Sequence, residues 1–567
     1  MEDFYARVFG MTLNGAEIII EELITQGVDT VFGYPGGFVI HIYDALHKNS
    51  HRITHILSAH EQGAAHAADG YARTSGRTGV VIATSGPGAT NLVTGIANAY
   101  LDSVPVVFIT GNVPAHLSGR DAFQEIDIAS VTQPIVKHNY VVRDIKHLQH
   151  TLSEAFLIAN SGRKGPVLVD VPRNVQIDSF DYDPDLKVSA VPGALKKTGN
   201  ISALGEALDA IEKSSRPFIY CGGGVSASGT GEQVIELSRK LGAPVGLSMM
   251  GIGAIPNSYE LNLGMCGMHG RYASTLAQSE ADLEIALGVR FSDRATGNTK
   301  EYSKNCTIIH VDIDAAEIGK NVHPQISLCG DLSEILPMLV GRTSVRPESE
   351  WQARVRELKA IGNTSPSGGF TPLDIINCVN SYFDDDTPVA TDVGQHQMWV
   401  SQHYRFEKPR RLITSGGLGA MGFGLGAAIG ACVARGRKRS VLFTSEGSFG
   451  MNLNELATAV TQKLPVVVIL LNNGVLGMVR QWQTLFFEER HSQTTLERKT
   501  DFPALAQAFG AHGFSAQNLD ELSNVLKNLP DDGPSLINCK IDKDEMVFPM
   551  IPPGGSAKDI ITKQGGR

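Results

Sequence analysis

Residues 441–473, VLFTSEGSFGMNLNELATAVTQKLPVVVILLNN, alternate an apolar run, a glycine-containing turn, a helical stretch and a second apolar run. Two such runs joined by a helix share a sheet as a parallel, right-handed crossover. Their C-terminal ends then fall on one edge, where α/β folds bind ligands. Glu446 closes the first run, and Asn472 and Asn473 close the second. A carboxylate, an amide oxygen and a nearby main-chain carbonyl are hard oxygen donors of the kind Mg²⁺ takes, with a diphosphate and water completing the octahedron. Taken alone, an ordinary strand–helix–strand unit with an acidic turn explains these residues equally well.

The rest of the chain narrows the choice. Its 567 residues suffice for three to four domains at ~150 residues each. Apolar bursts such as VVIAT (80–84), CTIIHVDID (306–314) and PVVVILLNN (465–473) read as buried parallel strands. Helical stretches such as NGAEIIIEELITQG (14–27) and ISALGEALDAIEKS (201–214) lie between them. The rhythm breaks at 183–200 and at 342–370, where polar, proline- and glycine-containing stretches read as linkers. The expected organisation is three doubly wound α/β domains, at 1–182, 201–341 and 371–551. The tail 552–567 is read as a cap over a site or as a disordered end, the latter being the commoner fate of a glycine-rich terminus. No short repeat is visible.

The net charge of −10 without a basic block gives no footprint for nucleic acid. Seven scattered cysteines without CxxC pairs argue against a disulfide framework or zinc site and for a reducing, cytoplasmic setting. The start, MEDFYARVFGMT, lacks the basic and apolar regions of a secretory signal. No apolar run approaches the ~18 residues of a membrane span.

Further motifs occur in order: GYPGG (33–37), Glu61 ahead of a small-residue helix, TSGPGATN (84–91), DAFQE (121–125) and GPVLVDVP (165–172). In the third domain follow TDVGQHQM (391–398) and SGGLGAMGFGLGAAIGA (415–431). By itself Glu61 reads as a helix N-terminal charge. Together these segments and 441–473 resemble thiamine-diphosphate (ThDP) enzymes, and specifically the acetolactate synthase (acetohydroxyacid synthase) large catalytic subunit, over nearly the whole chain. One departure stands out. The Gly-Asp-Gly of that fingerprint is Ser445, Glu446 and Gly447 here. Ser445 occupies a position that could demand positive φ, and Glu446 reaches one methylene further than aspartate. This leaves open a metal-impaired or non-catalytic paralogue, or another ThDP/FAD carboligase.

The resemblance implies roles residue by residue. Glu61 would pair with N1′ of the ThDP aminopyrimidine. Tyr34, Pro35, Gly36 and Gly37 would lie beside that ring, and Gln395, His396, Gly419, Gly447, Ser448 and Met478 around the diphosphate and thiazolium. Met421 would wedge between the two rings and hold the bent cofactor, which is catalysis by orientation. The Mg²⁺ ligands would be Glu446, Asn473 and the carbonyl of Val475. In the middle domain, YCGGGVSASG (220–229), SMMGIGAIP (248–256), GMHG (267–270), GVRFSDRATG (288–297) and HVDIDAAEIGKN (310–321) are similar to the FAD-binding domain of the biosynthetic enzymes. There Gly222, Gly223, Gly224, Met250, His269, Arg290, Asp312, Ile313 and Asp331 would contact FAD, and Ser292 replaces the usual aspartate. Phe123, Gln124, Lys137, Asp293, Arg294, Val479 and Trp482 match the substrate channel, Trp482 favouring 2-ketobutyrate as second substrate. The implied reaction decarboxylates pyruvate and joins the two-carbon unit to pyruvate or 2-ketobutyrate, in branched-chain amino-acid biosynthesis. The implied assembly is a homodimer or homotetramer with sites at the interface, plus a separate small regulatory subunit.

Overall fold

The computed structural model describes residues 11–186, 188, 201–302, 304–361 and 369–562. Most of the expected 183–200 linker, the stretch 362–368 and the last five residues lie outside them.

Three six-stranded, all-parallel sheets carry the fold. A short antiparallel pair, β1 (Met11–Asn14) with β8 (Ser179–Tyr182), ties the two ends of the first domain together. Between them run β2 (Thr30–Tyr34), β3 (Thr54–Leu57), β4 (Gly79–Ala83), β5 (Val106–Asn112), β6 (His138–Val141) and β7 (Val167–Pro172). Their order in the sheet is 3-2-4-5-7-6. The middle sheet holds β9 (Pro217–Cys221), β10 (Val245–Leu247), β11 (Asn262–Met265), β12 (Leu283–Leu287), β13 (Thr307–Asp312) and β14 (Ile326–Cys329), ordered 11-10-9-12-13-14. The third holds β15 (Val389–Thr391), β16 (Leu412–Ile413), β17 (Ser440–Thr444), β18 (Val466–Asn472), β19 (His512–Ala516) and β20 (Ser535–Lys540), ordered 16-15-17-18-20-19. The central strands are buried on both faces, as continuous apolar runs such as VVVILL require.

Counted within each domain, the first and third sheets share one order, 2-1-3-4-6-5, a repeat invisible in the residues. The middle sheet is 3-2-1-4-5-6, the dinucleotide-binding arrangement. Strand order reverses between β2 and β4, between β9 and β12, and between β15 and β17. Each reversal opens a crevice at the carboxyl ends of the strands, where ligands of such sheets sit.

Helices α1 (Glu61–Ser75) and α3 (Phe423–Ala434) occupy equivalent places in the two like domains and pack on each other. Small residues let the backbones approach. A Cβ on Gly430 would stand 1.8 Å from the carbonyl of Ala67, and one on Gly70 2.1 Å from that of Ala427. Helix Glu350–Ile361, expected within a connecting segment, is anchored on the middle domain: Trp351 is buried and donates its indole N–H to the carbonyl of Pro217 at 3.0 Å. The tail is likewise fixed as far as residue 562. Met550 bridges Ile561, and the carbonyl of Gly555 accepts from Asn298 N–H at 3.0 Å.

Candidate functional site

A cavity of about 2000 Å³ opens where the three domains meet. That is twice the upper end of ordinary single-ligand pockets. Its walls come from two of the three crevices.

In the β15/β17 crevice, Gln395 and His396 begin helix α2 (Gln395–His403) directly after β15. His396 is buried, its Nε2 has no partner among the described residues, and burial pushes its imidazole down to about 3. It is therefore a neutral ring at any working pH. Gln395 donates to the carbonyl of Glu545 at 2.8 Å, which fixes its amide. The glycine loop 414–422 crosses beneath. Gly419 and Gly422 have φ of +70° and +85°, which a side chain would resist. Asp392, which sequence reasoning passed over, is the brace of this loop. Its carboxylate accepts from Gly424 N–H and Thr444 Oγ1, both at 2.9 Å. The signal for it was an acidic residue at a strand end, three positions before Gln395. Ser448 accepts from Gly422 N–H at 3.3 Å, joining this loop to the turn of Glu446. Met421 lines the cavity between them, and a Cβ on Gly447 would sit 3.8 Å from its Cε.

Glu446 opens a four-residue helix after β17 and is 3% exposed. Among the described residues, neither carboxylate oxygen completes a hydrogen bond. Burial raises its pKa, and the nearby amides of Glu446, Gly474 and Asn473 only partly offset this. A bare buried carboxylate of this kind costs several kcal/mol unless a cation meets it. Asn473 follows β18, the parallel neighbour of β17, so the two stand on one edge as expected. Its Oδ1 accepts from Val475 N–H at 3.3 Å. Ser445 corrects one expectation. Its φ is −132°, extended backbone open to any residue, so the lost glycine imposes no strain.

The β9/β12 crevice supplies the other end of the cavity. The turn of Gly222, Gly223 and Gly224 packs on Gly288 so closely that a Cβ on Gly222 would lie 2.0 Å from its carbonyl oxygen. Met250, His269, Arg290, Asp312, Ile313 and Asp331 all line the cavity. His269 has a buried Nδ1 without a partner among the described residues, and burial and then Arg294 push it down to about 4. Burial holds Asp312 up at about 6. Arg290 reaches into the first domain and donates to the carbonyl of Leu101. Asp331 caps the following helix through Ser333 N–H at 2.9 Å.

Between the two ends lies helix α4 (Gly477–Phe486), which carries Met478, Val479 and Trp482. The guanidinium of Arg294 sits 5.6 Å from the Trp482 ring centre, a cation–π contact joining the middle and third domains. Asp293 beside it is exposed.

The remaining expected residues stand apart from this cavity. Glu61 is 9% exposed and accepts from Asn91 Nδ2 at 3.0 Å. It lies in the β2/β4 crevice with Gly36, packed on Thr84, and with Gly37, which nothing crowds. Tyr34 and Phe123 are 42% and 81% exposed, and Gln124 is held at φ +61° against Gly86. Lys137 joins neither group. Its ammonium donates to the carbonyls of Ile158 and Ser161 (2.6 Å to the latter) at the end of helix Leu148–Asn160. Burial, then Arg163, lowers it to about 8.

Residues 13–131 match the family described as thiamine pyrophosphate enzyme, N-terminal TPP binding domain. Residues 204–339 match its central domain, and 392–539 its C-terminal TPP binding domain. The acetolactate synthase isozyme 2 large subunit of Escherichia coli is 43% identical over 556 residues, 97% of this chain and 100% of that protein. The acetolactate synthase large subunit of Lactococcus lactis is 42% identical over 561 residues, 97% of this chain and 96% of that one. Acetolactate synthase 1, chloroplastic, of Nicotiana tabacum is 42% identical over 578 residues, 98% and 85% respectively. With three ThDP-enzyme domains in order and full-length relatives from bacteria and plants, the chain belongs to the acetolactate synthase large-subunit family of thiamine-diphosphate enzymes.

Proposed function

We propose that this chain is an acetolactate synthase that decarboxylates pyruvate and ligates the two-carbon unit to pyruvate, giving 2-acetolactate, or to 2-ketobutyrate, giving 2-aceto-2-hydroxybutyrate. The observation that carries the reading is Glu446: a buried carboxylate whose two oxygens find no partner among the described residues, set beside Asn473 at the ends of adjacent parallel strands. The donor set fits a hard divalent cation. When bound, ThDP supplies the carbon nucleophile and electron sink, Mg²⁺ anchors its diphosphate, and FAD serves without net redox work.

The protein residues do the holding and orienting. Glu446, Asn473 and the carbonyl of Val475 take the cation, with Gln395, His396, Gly419, Gly447, Ser448 and Met478 around the diphosphate end. Met421, which lines the cavity, would pack against the bound cofactor and help to orient it. Glu61 holds a proton at the pyrimidine N1′, with Tyr34, Pro35, Gly36 and Gly37 beside it. Gly222, Gly223, Gly224, Met250, His269, Arg290, Asp312, Ile313 and Asp331 take FAD, and the unpartnered Nδ1 of His269 supports that assignment. Arg294, fixed over Trp482, presents its planar fork to a ketoacid carboxylate, with Phe123, Gln124, Asp293 and Val479 at the entrance.

Glu61 and Glu446 serve different crevices in one chain. The proposed unit is therefore a homodimer or a homotetramer built from it, each site pairing the first domain of one copy with the third of another. A small regulatory subunit is the expected further partner, since relatives are named as large subunits. Incubating the protein with pyruvate, ThDP, Mg²⁺ and FAD should yield acetolactate. No product at any Mg²⁺ or Mn²⁺ concentration overturns the reading.

A further inference from the structure

In each of the two like-ordered domains, the connection from third to fourth strand sends a buried carboxylate onto main-chain N–H groups of the other domain. Asp102, between β4 and β5, accepts from Gly417 N–H at 2.7 Å and Gly416 N–H at 3.0 Å, in the turn that leads to Met421 and α3. Glu455, between β17 and β18, accepts from His60 N–H at 3.0 Å and Ala59 N–H at 3.3 Å. Those two amides immediately precede Glu61, the first residue of α1. Glu455 is 1% exposed, and its carboxylate is steadied in turn by Thr458 Oγ1 at 2.6 Å. Gly63 presses against it: a Cβ there would fall 2.0 Å from Oε1. The side chain of Glu61 is held from within its own domain by Asn91, while its main chain is set from the third domain.

We propose that Glu455 is the positioning residue for Glu61, fixing through two amides the turn that aims the carboxylate of Glu61. The inference rests on the proposed role of Glu61 at the pyrimidine nitrogen. Glu455 touches neither cofactor nor substrate, so its effect must pass through that turn. A glutamine in its place keeps the volume but offers one acceptor oxygen, and turns an NH₂ toward an N–H. One amide must then move, and displacement of a reacting group by ~1 Å can cost up to a hundredfold in rate.

The test is a double-mutant cycle on the full-length protein. Glu455→Gln, Glu61→Gln and the double variant are compared for kcat and KM at saturating cofactor, with ThDP affinity read from quenching of tryptophan fluorescence. Glu455→Gln should lower kcat by about tenfold or more, with KM and ThDP affinity within about twofold of the parent. In the Glu61→Gln background the same change should cost less than about twofold, because the group it aims is gone. A kcat for Glu455→Gln within twofold of the parent overturns the proposal, as does the same loss in both backgrounds. A normal kcat for Glu61→Gln alone overturns the reading of Glu61 itself, a different and recognisable failure. Should Glu455→Gln not fold, Gly63→Ala displaces the same carboxylate and is read in the same cycle against the same outcomes.

Discussion

The first and third domains share a strand order, yet their crevices are in opposite states. In the third, Gln395, His396, Met421 and Asn473 face a cavity that the middle domain helps to close. In the first, Glu61 sits in a crevice bordered by Tyr34 and Phe123, both exposed. Exposed aromatics beside a buried carboxylate are what a surface awaiting a partner presents. One architecture thus gives an enclosed half and an open half, and under the proposed assembly a second copy would complete the open one.

Five experiments press on that contrast. The open half carries the largest expected effect. Glu61→Gln should lower kcat at least a hundredfold, the scale of lost acid–base catalysis, while ThDP still binds through the enclosed half. Equal loss of ThDP binding would merge the two halves. Next comes the seam between them. Gly430→Ala drives a methyl into the carbonyl of Ala67 and should cost about 1–3 kcal/mol or more in urea unfolding; unchanged stability would mean that α1 and α3 slide.

Within the enclosed half, Glu446→Asp should lower the Mg²⁺ concentration needed for half-maximal ThDP binding, by about tenfold if the shorter arm restores octahedral geometry. Loss of binding would show that the extra methylene is needed. Asp170 tests the first sheet by itself. Burial raises its carboxyl to about 7, against the hydrogen bonds of Thr110 and Asn112 that lower it. A carboxyl with a raised folded pKa contributes full stability below its unfolded value and loses it as the pH climbs through about 7. The contribution of Asp170 to stability should therefore fall from pH 4 to 7, and Asp170→Asn should gain on the parent by about 1 kcal/mol or more across that range. A slope unaltered by the substitution would refute the assignment. The smallest effect concerns choice of substrate. Trp482→Leu should shift products toward acetolactate by severalfold in a pyruvate plus 2-ketobutyrate competition. An unchanged ratio would make Trp482 a stacking partner for Arg294 and nothing more.

The strands were legible because buried parallel strands are written as unbroken apolar runs, as in 465–471 and 80–83. So was the pairing of Glu446 with Asn473, since parallel neighbours must end on one edge. The common order of the first and third sheets was hidden, because topology lies in which strands pair and not in any residue. Asp392, Asp102 and Glu455 escaped notice for a related reason. Each acts on amides far away in sequence, and a lone acidic residue carries no local pattern. The carbonyls to which Lys137 donates were hidden as well, since main-chain acceptors leave no trace in a sequence.

The Gly430 and Gly70 contacts have a mechanical corollary. With carbonyls lodged where methyl groups would be, α1 and α3 have no slack, and the first and third domains travel as one piece. Breathing must then be found elsewhere: in the exposed segment of Phe123, in the helix of Trp482, or between whole copies of the chain.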